Sequence, residues 1–398
     1  MRGGDFELVE ALRASSDAGS GLRPTDNASG FRADVSGQPG RALRPRLARL
    51  EGFVCKSGRL DENTGPLSRG GQRASGSGRA DGGAVGLASG VAGDGGPRFD
   101  QNIPPGGYAW WYVDGFSEDG QFGLSIIGLI GSVFSPYYAW SGRLDPLDHC
   151  AMNVALYGPR GARWAMTERR RAGLRRAGAS LEIGPSAMRW DGRSLEIDIN
   201  EISAPWPRRV RGHVRVEPEA INPRAFTLES GGGHVWRPIA PVARVSAEFS
   251  EPDIKWTGNG YLDANFGAEP LEAGFRRWTW SRAPTRRGAA ILYDAERRRE
   301  GPLTLGLEFD RSGGFEAFAA PPLVALPRTR WRVERTTRSE DGDACIIGEL
   351  EDTPFYSRSR VEHALLGERV SSMHESLDLD RFANPLVRAM LPFRMPRI

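Results

Sequence analysis

From Phe99 onward the chain alternates short apolar, β-branched runs with glycine- and proline-marked breaks. Side chains of a strand point to opposite faces in turn, so such runs read as strands. The first predicted strand is Tyr108–Asp114, bounded by Gly106–Gly107 and Gly115. Gly123–Phe134 is long and apolar enough for a buried strand pair. Cys150–Tyr157 and Arg163–Glu168 follow, separated by G-P-R-G. Next come Leu181–Ile183, Ala187–Trp190 and Leu195–Asn200, with a tight turn at Trp190–Arg193. Val210–Glu217 and Ala225–Leu228 alternate as half-buried strands do. The run P-I-A-P at Pro238–Pro241 interrupts this series. A second series comprises Val242–Glu248, Ile254–Trp256, Gly274–Ser281, Gly288–Asp294, Leu303–Phe309, Thr329–Glu334 and Cys345–Glu351. Turn signals at roughly 8–12-residue spacing argue for barrels or sandwiches. The expectation is an all-β protein with two β domains, 98–240 and 241–398. In the stretch Leu377–Ile398, Pro385, Pro392 and Pro396 leave room only for a short helix around Pro385–Leu391.

Composition separates residues 1–97 from the rest. All 11 Trp and all 8 Tyr of the 398 residues lie after Pro97. The leading stretch is rich in Gly, Ala, Ser and Arg, and buries too little apolar surface to offset its ordering entropy. It is expected to be disordered, with a short apolar patch at Leu47–Val54. The net charge is +3, and only Lys56 and Lys255 are lysines. Both signs of charge intersperse along the β region, so no nucleic-acid-binding stripe is expected. The densest basic run, Arg169–Arg176, reads either as a solvated hairpin or loop, or as a contact for anionic lipid headgroups. Cys55, Cys150 and Cys345 are odd in number and widely spaced, which fits neither a disulfide framework nor a metal knuckle. Met1–Glu10 carries acids and no apolar core, so no signal peptide is expected. The longest apolar run, Phe122–Tyr138, is broken by glycines and Pro136 and is too short to span a bilayer.

No phosphate-cradling glycine loop, strand-placed G-x-G-x-x-G or G-x-S-x-G elbow is present. Five histidines without paired spacing (149, 213, 234, 363, 374) argue against a His-rich metal site. Three aromatic–polar stretches remain. In the first, Trp110, Tyr112 and Asp114 share a strand face with Tyr108. In the second, His234 and Trp236 share a face. In the third, Tyr261, Asp263 and Asn265 do so if extended. Each also has a structural reading. Asp263 and Asn265 would satisfy turn backbone near the flanking glycines, His234 would be a core histidine, and the Trp110–Tyr112 cluster would be core.

At these stretches the sequence resembles the carotenoid 1,2-hydratase (hydroxyneurosporene synthase) family. The matching text includes F-D-Q-N-I-P-P-G-G-Y-A-W-W-Y-V-D from Phe99, G-S-V-F-S-P-Y-Y-A-W from Gly131, and L-D-H-C-A-M-N-V-A-L-Y-G from Leu147. It continues with R-W-A-M-T-E-R from Arg163, G-N-G-Y-L-D-A-N-F-G from Gly258, and E-A-G-F-R-R-W-T-W from Glu272. It ends with E-D-T-P-F-Y from Glu351 and H-E-S-L-D-L-D-R-F from His374. The resemblance spans about 99–398. It implies two tandem lipocalin-like β-barrel domains and a hydro-lyase without a cofactor. The implied substrates are water and an acyclic carotenoid such as neurosporene or lycopene. Its H-x-W and G-Y-x-D elements map onto His234, Trp236, Tyr261 and Asp263 as catalytic residues. Trp110, Tyr112, Asp114 and Asn265 are the expected substrate contacts. Phe266 stands where some relatives carry a polar residue.

The chemistry expected of these residues starts with a proton donor. A carboxyl buried in an apolar barrel rises in pKa. Asp263 is therefore the expected general acid, with Asp114 in reserve. Trp236 and Tyr261 would face the developing cation. His234 would orient or deprotonate water, or hold Asp263 protonated. The insoluble substrate implies peripheral attachment to the cytoplasmic side of a photosynthetic membrane. Attachment would run through an apolar rim or the Arg169–Arg176 region. The competing readings are a non-catalytic carrier of an apolar isoprenoid and an assembly factor using a Trp-rich face.

Overall fold

The computed structural model describes residues 87–88 and 95–398. The disorder expected for 1–97 and the Leu47–Val54 patch therefore fall almost wholly outside the described residues.

The described chain is mostly β, as the alternation predicts. A 13-stranded sheet is followed in sequence by a 7-stranded one. In the centre of the first sheet, strand Tyr108–Ser117 pairs antiparallel with Gly123–Ile130 on one side and with Asp253–Gly267 on the other. Asp253–Gly267 pairs in turn with His234–Glu251. The first sheet curls on itself, and a buried Arg169–Glu201 pair at 2.7 Å joins two of its distant strands. The second sheet centres on Phe275–Pro284, flanked by Gly288–Arg297 and Glu368–Asp378.

The tight Tyr108 strand shows how the two cores arise. Ala109, Trp111 and Val113 enter the core enclosed by the first sheet. Tyr108, Trp110 and Tyr112 point the other way, into a second core shared with Trp278, Trp280, Tyr293 and Leu377 of the second sheet. Both faces are buried, so the strand carries no polar face until Asp114.

The break expected at Pro238–Pro241 is not a boundary. It lies inside the 18-residue strand His234–Glu251. On one side that strand is flanked by Ala225–Thr227 only as far as Trp236, and by Arg209–Pro218 only from Ala243. The prolines lie in this gap, where register also shifts, so their missing N–H groups cost no ladder bond. The change of sheet comes later, between Gly267 and Phe275. Two further expectations are corrected. Gly123–Ile130 is one strand. Thr329–Glu334 is a turn with Arg332 at φ +60°, between strands Leu323–Leu326 and Arg335–Arg338. The short helix forms at Pro385–Met390, capped by Asn384.

The Arg169–Arg176 run is a connection, not a hairpin: it leaves strand Arg163–Arg169 through a short 3-10 turn and enters strand Leu174–Ala177, and its cations are engaged. Arg170, Arg171 and Arg175 pair with Asp148, Asp145 and Glu182, and Arg176 donates to the Phe99 and Gln101 carbonyls. Only Arg176 has no carboxylate partner among the described residues, and its guanidinium is turned to backbone carbonyls.

Candidate active site

The site is built on the face of the first sheet that the second sheet covers. Strand pairing sets Tyr112 opposite Asp263 and Trp110 opposite Asn265. Across the next ladder, Trp236 stands opposite Asn265 and Pro238 opposite Asp263. Alternation then brings Trp236, Tyr261, Asp263 and Asn265 together on one face, as the strand reading required.

Asp263 is 4% exposed. Its Oδ2 accepts hydrogen bonds from Trp236 Nε1 and Tyr261 Oη, both at 2.9 Å. Trp236 Nε1 also lies 3.2 Å from Tyr261 Oη, and Asn265 Nδ2 donates to Oδ1 at 3.3 Å. Burial pushes the Asp263 carboxyl up to about 8. The bonds from Trp236 and Tyr261 pull it back, and the charges of Glu375 and Asp114 push it further up. Two donors on Oδ2 make that the carbonyl-like oxygen and leave the acid proton to Oδ1. The same donors receive the carboxylate once the proton has left. Burial also raises the Tyr261 hydroxyl well above its ordinary value, so it stays a donor.

Aromatic rings surround this carboxyl. Tyr112, Tyr261 and Trp280 meet at centroid distances of 5.3–6.1 Å. Trp236, Tyr293 and Trp278 continue the wall at 5.5 and 5.3 Å. Trp278, Trp280 and Tyr293 were not singled out from sequence. Two of them stood in the W-T-W run, but nothing local says that this run packs on the Tyr108 strand.

A cavity of about 310 Å³ opens beside the cage, between the sheets and the C-terminal tail. Trp110 and Tyr112 wall it, with Trp278, Phe355 and Leu377. Of the expected site residues only Trp110 and Tyr112 line it; Asp263, Tyr261, Trp236, His234, Asp114 and Asn265 do not. Its polar end was also missed: Glu375 accepts from Tyr112 Oη at 3.0 Å, and the fully buried Arg358 pairs with Glu375 at 2.8 Å.

Two expected roles change on geometry. Asp114 is fully buried in a 2.5 Å ion pair with Arg282. Burial pushes its carboxyl up, and the guanidinium pulls it back down. Held this way it is no free acid. His234 does not contact Asp263. Its Nδ1 lies 2.8 Å from Tyr108 Oη and its Nε2 3.3 Å from Glu269. Burial lowers the imidazole below its ordinary value. Glu229, His234 and Glu269 gather three ligand-type atoms within 4.8 Å. Arg299, however, bridges both carboxylates, which makes this an ion-pair cluster.

The sequence has counterparts among known proteins. The family model for carotenoid hydratase CrtC matches residues 126–398. The chain is 54% identical over 361 residues to an acyclic carotenoid 1,2-hydratase of Thiocapsa roseopersicina, with 89% of each chain covered. It is 48% identical over 382 residues to one from Rubrivivax gelatinosus, with 94% of each covered. To one from Cereibacter sphaeroides it is 46% identical over 274 residues, covering 68% of this chain and 98% of that one.

Proposed function

The chain belongs to the CrtC carotenoid hydratase family and adds water to the terminal C1–C2 double bond of acyclic carotenoids, and we propose that Asp263 is the acid that starts this reaction. The observation that carries the proposal is a carboxyl enclosed by aromatic rings and held at about 8 by burial, hence protonated at neutral pH. An ordinary aspartate is ionised there and has no proton to give.

The end of the polyene enters the cavity walled by Trp110 and Tyr112; Asp263 does not line it, so the Tyr112 ring, on the residue paired opposite Asp263, turns aside to let the chain end reach the carboxyl. Asp263 Oδ1 hands its proton to C2, leaving a tertiary cation at C1. Trp236, Tyr261 and Trp280 face that cation; a desolvated aromatic face contributes about 2 kcal/mol. Water then attacks C1. Tyr293 Oη and Trp280 Nε1 are buried without a hydrogen-bond partner among the described residues, and they hold this water. The attacking water's proton returns to the Asp263 carboxylate, so the tertiary alcohol leaves with the acid restored. His234 acts as a positioning residue: it holds Tyr108, whose ring stacks on Trp110 at 4.9 Å. Neurosporene and lycopene are the expected substrates, met at a membrane. The tandem lipocalin-like reading is kept, with the hand-over after Gly267 in place of 240. A carrier would have no use for a protonated carboxyl set among donors.

Incubating the purified protein with neurosporene in deuterated water tests this route. One deuterium at C2 and one added oxygen at C1 are expected; a hydroxylated product without deuterium at C2 would exclude protonation there.

The pH profile gives a second test. Activity falls as pH rises through about 8, because the acid loses its proton. Tyr261→Phe removes a donor that stabilises the carboxylate, so this limb moves to higher pH while the rate drops about 10-fold or more. Glu375→Gln removes a charge that disfavours the carboxylate, so the limb moves to lower pH. Limbs that do not move in opposite directions would assign the titration to another group.

A further inference from the structure

We propose that the cavity mouth docks on an anionic lipid surface through a rim formed by the C-terminal tail and the Thr329–Arg332 turn. This rests on the carotenoid reading and names the surface on which the substrate is met.

Among the described residues, five of the eleven exposed large apolar side chains gather at this end: Trp206, Trp331, Leu386, Met390 and Phe393. Trp331, Met390 and Phe393 line the cavity and face solvent at once, Phe393 with 72% of its surface exposed. They are the lip of the opening. Leu386, 77% exposed, stands one helical turn before Met390 on helix Pro385–Met390. Trp206 borders an adjoining hollow shared with Arg394.

The charge between these anchors is positive on balance. Arg330 and Arg332 flank Trp331, are exposed, and form no ion pair among the described residues. Arg394 lies over the Trp164 ring at 4.6 Å and likewise has no carboxylate partner among them. Asp352 on the same rim accepts from the Arg330 backbone N–H at 2.8 Å and has no cation partner among the described residues, which leaves three arginines against one carboxylate. Apolar and aromatic anchors interleaved with free arginines are what the interface of an anionic bilayer binds.

The volume supports the same partner. About 310 Å³ lies at the low end of the range for small-molecule pockets, so it takes one end of a long polyene. The remainder of the polyene stays outside the lip and needs an apolar phase there. The lip itself is anchored: Met395 and Phe382 are buried, and Arg397 pairs with Asp148 at 2.6 Å.

Flotation of the full chain with phosphatidylcholine vesicles, with and without phosphatidylglycerol, tests this. The wild type is expected to float with the anionic vesicles. Arg330→Gln with Arg332→Gln, and separately Leu386→Asp, should each weaken that binding about 10-fold or more. None of these three side chains lines the cavity. Hydration of neurosporene in detergent micelles should therefore stay at the wild-type rate, while hydration from anionic vesicles falls with binding. Variants that float like the wild type overturn the proposal. So does a wild type that stays in solution, which would assign the rim to a protein partner. Loss of micelle activity in the wild type strikes the carotenoid reading instead, and flotation still judges the rim.

Discussion

Asp263→Asn lowers the hydration rate by about 10²–10⁴-fold, the usual contribution of a positioned general acid, and does so without harming the fold. The amide is isosteric, and its oxygen still accepts from Trp236 and Tyr261. Stability separates this loss from simple unfolding, and its sign follows from the raised pKa. Between about pH 4 and about pH 8 the native carboxyl keeps a proton that the unfolded chain has released. Its favourable contribution is fully present below pH 4. It drains away at about 1.4 kcal/mol per pH unit as pH rises to about 8. The amide is neutral throughout. The variant should therefore melt close to wild type at pH 5 and above it at pH 9, where it is more stable by about a few kcal/mol. Thermal melts at the two pH values, beside product formation, read both effects. A variant that hydrates at the wild-type rate removes Asp263 from the acid role. One that loses stability steeply at pH 9 contradicts the buried neutral carboxyl.

The side-by-side placement of Trp236, Tyr261, Asp263 and Asn265 was legible because two-residue spacing in an extended chain fixes a common face. Those residues sit on neighbouring strands joined by a short turn, so local pattern carries far. The enclosing environment was not legible. Alternation says that Trp110 and Trp111 face opposite ways, but not which of two cores each enters. Asp263 was expected inside a barrel, and it lies outside the first sheet's core, beneath the second sheet. Glu375, Arg358, Trp280 and Tyr293 reach the site from strands remote in sequence, and no spacing rule links them to Gly258–Gly267. Pro238 and Pro241 misled for a related reason. A proline ends a strand only where its N–H is needed, and that depends on the neighbouring strand.

Asp114 carries the sharpest contrast with Asp263. Arg282→Met should cost about 3–5 kcal/mol, because it leaves a buried carboxylate without its cation. Asp114 is fully buried and the pair is 2.5 Å long, with Asn259 Oδ1 the other acceptor near the guanidinium at 3.5 Å. Removing both charges is a different matter. A buried pair replaced by apolar or neutral groups of similar volume is often neutral or stabilising. Asp114→Asn with Arg282→Met should therefore recover most of the loss, within about 1–2 kcal/mol of wild type. The double variant also asks which carboxyl is the acid. If Asp114 only balances Arg282, hydration persists at a rate within about 10-fold of wild type, far above that of Asp263→Asn. Its alkaline limb should move to lower pH, since the Asp114 charge helps hold the Asp263 proton. Chemical denaturation of the single and double variants gives the coupling energy, and one product assay ranks the two carboxyls. A stable double variant as inactive as Asp263→Asn would return Asp114 to the chemistry.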